Sequence, residues 1–248
     1  MIIMKLQIVS DLHIETKREQ VKLADYVTPV GDILVLAGDI GSMYRTRQLC
    51  NLLEQACQQF PLVIFVPGNH EYYKLGKNHS RPFATLENTL IKFKEYHPNF
   101  YLLNRSTLQI ENYVFIGATL WTKPEKFSDR IVRINCITKE RFTNMHMLDK
   151  KFIERQLRIA KKRELIPIVI THYPPVIDAV REHRLDDPYV SLYTNNLEDL
   201  LSSAKVWISG HTHYNYMKYK NNCLLVSNQL GKKRDNITDF SKRKIITI

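Results

Sequence analysis

The sequence predicts an α/β protein in which two packed β-sheets are flanked by helices. The chain has 248 residues and is 44% hydrophobic, which is enough for one large core. Short β-branched runs alternate with longer amphipathic stretches, and a group of strands follows near the end. This order of elements indicates two sheets packed together and covered by helices. Because no repeat, low-complexity block or linker is visible, we expect one domain over residues 1–248.

The first half of the chain is predicted to contain three strands and two helices. The strands are Lys5–Val9, Ile33–Ala37 and Leu62–Val66, and the last two are continuous apolar runs typical of buried strands. Helices are predicted at 43–60 and 82–96, where apolar residues recur at helical spacing on one side.

The second half begins with a predicted hairpin of strands at 107–110 and 113–117. We expect residues from about 122 to 148 to form an excursion over the edge of the site. A charged helix is predicted at 149–164, with Asp149 as its N-cap. The remaining predicted elements are a strand at 166–170, a short helix at 197–203, and strands at 206–209, 214–219, 223–226 and 245–248.

Polar residues follow five of the predicted buried strands, at the point where each strand ends. They are Asp11, His13, Asp39, Asn69, His70, His172, His211 and His213. Ligand sites of α/β sheets form at the carboxyl ends of the strands. We therefore expect these residues, although far apart in the sequence, to converge on one site.

The residue types in this set suit two divalent metal ions. Two such ions lie about 3.5–4 Å apart and share a ligand, and the two carboxylate oxygens of Asp39 suit that bridge. Imidazoles and the Asn69 amide add ligands without adding charge, so the ions keep net positive charge that attracts phosphate. The nitrogen-rich set contains no cysteine, which disfavours a closed structural zinc site and favours manganese, iron, nickel or zinc over calcium.

The ordered motifs Asp-x-His, Gly-Asp, Gly-Asn-His-Glu, His and Gly-His-x-His, between Asp11 and His213, resemble the calcineurin-like metallophosphoesterase superfamily. The resemblance implies a four-layer α/β/β/α sandwich, with two mixed β-sheets packed face to face and flanked by helices. It also implies a hydrolase that cleaves a phosphomonoester or a phosphodiester by attack of a hydroxide bridging two metals.

The resemblance further implies a role for each residue of the set. The ligands of the first metal would be Asp11, His13 and His213. The ligands of the second would be Asn69, His172 and His211. Asp39 would bridge the two metals, and His70 would protonate the leaving oxygen or stabilise the transition state.

The segments 67–73, 119–122 and 171–175 look similar to small, single-domain phosphoesterases of bacterial type. Protein serine/threonine phosphatases of the superfamily carry Asp-Arg-Gly shortly after the Gly-Asp motif. Here residues 40–44 are Ile-Gly-Ser-Met-Tyr, so that acid and arginine are missing. The difference disfavours a dedicated protein phosphatase, and it leaves His70 without the aspartate partner which that subfamily supplies.

The formal charge of +11 has two interpretations. It could attract an anionic substrate or nucleic acid, or it could belong to a lysine-rich solvated surface. The basic clusters at 150–151, 158–163, 232–234 and 242–244 are dispersed, so a nuclease acting on DNA or RNA is possible but not favoured. A non-catalytic scaffold on the same fold is disfavoured, because such proteins typically lose ligands and none is lost here.

The cysteine pattern and the hydropathy bear on location. The four cysteines form no CxxC pair and predict thiols rather than disulfides. No apolar run approaches the length of a membrane span, so no membrane partner is expected. The default is a cytosolic or nuclear location, and we take it as cytoplasmic.

Several other residues have a structural and a functional interpretation. Glu71 is expected to be an acid at a helix N-terminus, and Trp121 to anchor the core rather than to stack on a base. Arginines that could hold a substrate phosphate, or simply form a solvated face, are Arg130, Arg133 and Arg141. Histidines expected to be solvated or locally bonded are His79, His97, His146 and His183, of which His146 is the best candidate for the rim of the site.

Overall fold

The computed structural model describes residues 3–17, 20–76 and 80–248, which form two mixed β-sheets and four α-helices. The strands are β1 (Lys5–Val9), β2 (Ile33–Ala37), β3 (Leu62–Val66), β4 (Phe100–Leu102), β5 (Ser106–Ile110), β6 (Tyr113–Ala118), β7 (Ile166–Thr171), β8 (Val206–Ile208), β9 (Met217–Lys220), β10 (Cys223–Val226) and β11 (Ile245–Thr247). The helices are α1 (Thr46–Gln59), α2 (Phe83–Tyr96), α3 (Lys139–Lys162) and α4 (Glu198–Leu201).

The first sheet has the strand order β11-β1-β2-β3-β4, with β1 to β4 parallel and β11 antiparallel to β1. The second sheet has the order β5-β6-β7-β8-β10-β9, with parallel pairs in the middle and antiparallel strands β5 and β9 at its edges. The prediction of two mixed sheets with helices is confirmed.

The core explains why so many strands are continuous apolar runs. Apolar side chains of the two sheets meet in one cluster, for example Ile8 and Ile64 from the first sheet and Phe115 and Ile170 from the second. The outer face of the first sheet packs with α1 and α2, and that of the second with α3 and α4. The central strands are thus buried on both faces, and every position along them selects an apolar residue.

The predicted N-terminus of the charged helix is wrong. α3 begins at Lys139, and the Thr138 side chain caps it by accepting a hydrogen bond from the Arg141 backbone N–H at 3.1 Å. Asp149 lies inside α3, fully buried, and its carboxylate accepts a hydrogen bond from Arg105 at 2.7 Å. A buried ion pair uses the same residue type as an N-cap, so the sequence pattern did not separate them. Residues 139–148 of the expected excursion are therefore helical, and the assignment of 1–248 to one domain stays a prediction.

Three smaller differences concern short elements. β4 was not predicted, because three residues are too few to show a period. β9 begins at Met217 rather than at 214, because Tyr216 precedes the strand and its hydroxyl bonds Ser209. The helix predicted at 197–203 is a single turn, α4.

One face of α3 is basic and exposed. Exposed basic residues at spacings of three or four are Lys151, Arg155, Arg158 and Lys162. At 1.5 Å per residue, this α3 basic stripe is about 17 Å long. Basic residues that are dispersed in the sequence are therefore aligned in space. Every helix in the described part of the chain is too short or too polar to cross a bilayer.

Candidate metal centre

The seven predicted metal ligands lie in the loops that follow β1, β2, β3, β7 and β8. The ends of the two sheets are joined there, since His172 Nδ1 at the end of β7 donates to the carbonyl oxygen of Ala37 in β2 at 3.0 Å. The Gly210 N–H donates to the His172 carbonyl at 2.9 Å, which brings the loop after β8 to the same place. Strands far apart in the sequence thus deliver their polar residues to one point.

Unusual backbone conformations turn these side chains inward. Positive φ occurs at Asp11, His13, Asp39, His211 and His213, with values of 55°, 49°, 53°, 72° and 50°. This left-handed conformation is disfavoured for residues with a Cβ and tends to cluster at functional sites. Hydrogen bonds between loops hold it here: the Asp11 N–H donates to Gly38 and the His13 N–H donates to Asp39, each at 3.0 Å.

Two groups of ligand atoms form, with Asp39 between them. In the first group, His213 Nε2 lies 3.0 Å from His13 Nε2 and 3.3 Å from Asp11 Oδ1. The side-chain oxygens of Asp39 face both groups, with Oδ2 3.9 Å from His13 Nε2 and Oδ1 3.4 Å from His172 Nε2. In the second group, the atoms around His172 Nε2 are Asn69 Oδ1 at 2.9 Å and His211 Nδ1 at 3.2 Å.

The hydrogen bonds of His13 and His213 test whether the first group fits a metal ion. Each ring donates from Nδ1 to a carboxylate, His13 to Glu15 at 3.2 Å and His213 to Asp235 at 2.6 Å. A neutral imidazole with its proton on Nδ1 has only a lone pair on Nε2, yet the two Nε2 atoms lie 3.0 Å apart. The repulsion between the two lone pairs is removed by a proton on one Nε2 atom or by a metal ion between the two nitrogens. Nitrogens about 2.1 Å from a shared ion and at right angles to each other would be about 3 Å apart, so a metal fits.

The donor atoms of the second group also fit a metal ion. His172 donates from Nδ1 to Ala37, so in the neutral ring its Nε2 presents a lone pair to Asn69 Oδ1 and to His211 Nδ1. The Nε2 atom of His211 is buried without a hydrogen-bond partner among the described residues. Oxygen and nitrogen acceptors that converge in this way repel one another, and a divalent cation between them would remove that repulsion.

The pKa values of two site histidines in the metal-free protein also indicate that the site stabilises positive charge. Burial lowers the pKa of His172, but the charge and hydrogen bond of Asp39 outweigh it and raise this pKa to about 9. Burial also lowers the pKa of His213, whereas its bonds to Asp11 and Asp235 raise it to about 9. Without metals, protons on these two imidazoles supply the positive charge.

Two carboxylates that orient the imidazoles were missed in the sequence. Glu15 Oε1 accepts from His13 and, at 2.9 Å, from His70 Nδ1. Burial raises the pKa of Glu15, but these two histidines lower it to about 2, so the group is a carboxylate. Glu15 thus replaces the aspartate partner that the sequence lacked for His70. Asp235, which accepts from His213, lies in a basic segment that gave no signal.

The interpretation of Glu71 as an acid at a helix N-terminus is wrong, because no helix begins there. The fully buried carboxylate of Glu71 accepts hydrogen bonds from four backbone N–H groups. They are those of Asp39 at 2.9 Å, Ile40 at 2.8 Å, Gly41 at 3.1 Å and Gly68 at 2.6 Å. Burial, together with the charge of Asp39, raises the pKa of Glu71 to about 8. Glu71 therefore ties the loop after β2 to the loop after β3.

His70, the predicted catalytic residue, lies beside the two groups. Its ring is 4.4 Å from the His13 ring, centroid to centroid, and its Nε2 lies 3.1 Å from Lys232 Nζ. Lys232 belongs to a loop held against the site, because its backbone N–H donates at 2.8 Å to Asp235, which also accepts from His213. Sequence reasoning did not place this lysine at the site, since 162 residues separate it from His70.

The groups open into a cleft of about 280 Å³. Its wall contains basic and aromatic side chains from four segments, namely Tyr73, Arg133, Arg184, Tyr193, Lys232 and Arg234. Of the three arginines considered in the sequence, Arg133 lines this cleft, whereas Arg130 and Arg141 are exposed and are not among its described lining residues.

The remaining candidates have structural roles. Trp121 is buried among Tyr72, Phe142 and Tyr173, so its prediction as a core anchor is confirmed. His146 Nδ1 donates to the Trp121 carbonyl at 2.7 Å and lines a different cavity. His97 stacks on Phe93, His183 is exposed, and His79 lies outside the described residues.

Comparisons with known proteins agree with this geometry. The family model of the calcineurin-like phosphoesterase matches residues 4–215. The uncharacterized protein L509 of Acanthamoeba polyphaga mimivirus is 27% identical over 267 residues, which cover 95% of each chain.

Two solved structures have the same fold. A phosphopantetheinyl hydrolase from Mycobacterium tuberculosis superposes with a TM-score of 0.67 at 16% identity, over 98% of this chain and 95% of that one. A dimetal phosphatase from Danio rerio superposes with a TM-score of 0.52 at 16% identity, over 98% and 91%.

Proposed function

This chain belongs to the calcineurin-like phosphoesterase family, and from that premise we propose that it hydrolyses a phosphomonoester or a phosphodiester with two divalent metal ions. The observation that carries the proposal is the position of Asp39 between two groups of inward-facing donor atoms. One carboxylate oxygen faces each group, at 3.9 Å from His13 Nε2 and 3.4 Å from His172 Nε2. This arrangement supports a shared ligand for a metal pair.

The proposed ligand sets follow the two groups. The first ion would be held by Asp11, His13 and His213, the second by Asn69, His172 and His211, and both by Asp39. When bound, the ions would supply an acidified water as nucleophile and neutralise charge on the phosphate. The donor set suits manganese, iron, nickel or zinc.

The residues around the ligands would hold each imidazole in the correct tautomer. Glu15, Asp235 and the Ala37 carbonyl accept from the Nδ1 atoms of His13, His213 and His172. Each Nε2 lone pair is then directed inward without any rearrangement. Changes in these acceptors should therefore weaken metal binding although none of them contacts a metal.

His70 is the proposed general acid. Its Nδ1 atom bonds Glu15, which aims Nε2 at the cleft, where the Lys232 ammonium group lies 3.1 Å away. In this contact Nε2 accepts from the ammonium group, so the proton for the leaving oxygen would be carried at Nε2 once Lys232 has turned to the substrate, where its positive charge favours the charge that develops on the leaving group.

Metal removal tests the proposal. Exhaustive chelation should abolish hydrolysis of p-nitrophenyl phosphate and bis(p-nitrophenyl) phosphate, and manganese should restore it. The ratio of the two rates would distinguish a monoesterase from a diesterase. Undiminished activity in a sample whose metal content is confirmed as nil would contradict the proposal.

A nuclease is the second candidate, and the α3 basic stripe favours it. A line of cations about 17 Å long can contact successive phosphates of a nucleic acid. If it does, affinity for an oligonucleotide should fall steeply with salt, and the metal-loaded protein should cut the oligonucleotide. A scaffold without activity is disfavoured, because all seven proposed ligands are present and converge.

A further inference from the structure

The cleft above the proposed metal centre is lined by four cationic side chains. Arg133, Arg184 and Lys232 line it, and none of the three has a carboxylate within ion-pair distance among the described residues. Arg234 differs, because it lies 3.9 Å from Asp235 and its side chain is 81% exposed. Three cations in the cleft are therefore left without a protein anion.

Each of the two arginines packs on an aromatic ring that neighbours an imidazole of the site. The Arg133 guanidinium lies 5.5 Å from the centroid of the Tyr73 ring, and that ring lies 4.8 Å from the His70 ring. The Arg184 guanidinium lies 5.8 Å from the Tyr193 ring, which in turn lies 6.1 Å from the His211 ring. Each guanidinium is thus one aromatic ring farther out than a site imidazole.

The positions of these cations indicate two binding sites for anions, one at the proposed metals and one at the arginines. A phosphate bound at the metals would already have its charge neutralised there, and the arginines lie beyond that position. A guanidinium packed on an aromatic face is partly ordered and keeps its N–H fork available for phosphate oxygens. Lys232 lines the same cleft, with its Nζ atom 3.1 Å from His70 Nε2.

We propose that the cleft takes an organic diphosphate, whose terminal phosphate is hydrolysed while Lys232, Arg133 and Arg184 bind the second phosphate. This inference rests on the proposed function. In the reaction, the oxygen of water bonds to the terminal phosphorus, and the bond from that phosphorus to the bridging oxygen breaks. The products are the organic monophosphate and inorganic phosphate. The cleft volume of about 280 Å³ suits a small molecule.

Kinetics on ADP and AMP test the inference. The intact protein should prefer ADP over AMP in kcat/KM by about tenfold or more. Arg133→Ala or Arg184→Ala should each remove most of that preference, since one hydrogen bond to a charged group contributes about tenfold or more in affinity. The control variants Arg130→Ala and Arg141→Ala remove exposed arginines outside the described lining and should keep the preference. No preference in the intact protein, or equal losses in variants and controls, would overturn the inference.

A binding measurement separates this inference from the proposed hydrolysis. Metal-stripped protein should bind inorganic pyrophosphate at least tenfold more tightly than inorganic phosphate by calorimetry at low salt. The Arg133→Ala/Arg184→Ala double variant should lose most of that difference, while its circular dichroism spectrum shows that it is folded. If no ester is hydrolysed with any metal, the proposed function fails, and the pyrophosphate preference alone decides this inference. Equal affinity for the two anions would refute it.

Discussion

Both proposed metal sites depend on the side chain of Asp39. It is buried, has a positive φ, and accepts the His70 backbone N–H at 2.7 Å through Oδ1. Burial raises its pKa, but the charges of His172, His70 and His13 lower it well below the usual value. A carboxylate whose oxygens face two groups of ligands cannot be replaced by an amide, which keeps the shape but loses one acceptor and the charge.

The residue-scale prediction for Asp39 follows directly. Asp39→Asn should lower the content of both metals and remove nearly all turnover, because both proposed sites lose their shared ligand. Metal analysis after dialysis and kinetics on p-nitrophenyl phosphate would measure this. Asp129→Asn, at an exposed aspartate, is the matched control and should keep metals and rate. Loss of only one metal would contradict the bridging role.

His70 permits a separation of proton transfer from metal binding. His70→Ala should keep its metals but lose roughly 10²–10⁴-fold in rate, the usual contribution of a general acid. The loss should be large for an alkyl ester and smaller for p-nitrophenyl phosphate, whose leaving group departs as an anion. Equal losses on the two esters would exclude His70 as the acid. His97→Ala, on the C-terminal side of α2, controls for removal of an imidazole.

At the scale of elements, the site depends on how closely the loops after β2 and β3 approach each other. Glu71 holds them together, and Gly68 allows the contact. A Cβ at Gly68 would overlap Asp39 Oδ1 and the Asp39 backbone, and it would lie 2.9 Å from His172 Cε1. The absence of a side chain at this position is therefore a geometric requirement of the site.

We predict that Gly68→Ala displaces Asp39 and sharply reduces metal content and activity, while Gly76→Ala has little effect. The two variants add the same methyl group, but a Cβ at Gly76 would meet no described atom within 4 Å. Metal analysis and thermal unfolding of both variants would measure the difference. Full metal content in Gly68→Ala would show that the loops can separate without damage to the site.

At the scale of the whole molecule, folding places acids and imidazoles so close together that protons and metal ions compete for the imidazole nitrogens. The pKa values of about 9 for His172 and His213 mean that both rings are protonated at pH 7 in the metal-free protein. Metal ligands must be neutral imidazoles, so uptake must release these protons. Affinity at each proposed site should therefore rise with pH, by about tenfold per unit between pH 7 and 9, and level off above.

Calorimetry of manganese binding in two buffers of different ionisation heat would count the protons released. We expect release of about one proton per ion at pH 7 and much less at pH 10, because one of the two raised histidines lies in each proposed ligand set. Binding without proton release at pH 7 would show that both rings are already neutral in the metal-free protein.

The sequence by itself determined the class of fold and the residues proposed as metal ligands. The central strands are buried on both faces and appear as continuous apolar runs. The proposed ligands come directly after such strands. Because the ends of these strands lie close together in the fold, the positions of the ligands in the sequence predict that they share one site. The basic charge of α3 was visible as well, since the residues of its stripe lie inside the helix predicted at 149–164.

Only the tertiary structure decided what surrounds those residues. Glu15 joining His13 to His70, Glu71 tying two loops, and Lys232 and Arg184 in the cleft left no readable signal in the sequence. Their partners are set by the paths of irregular loops, which have no period. A buried acid such as Asp149 was also indistinguishable from a helix cap until its contact with Arg105 was seen. Side chains next to a strand end are placed by the strand, whereas these are placed by the packing of distant loops.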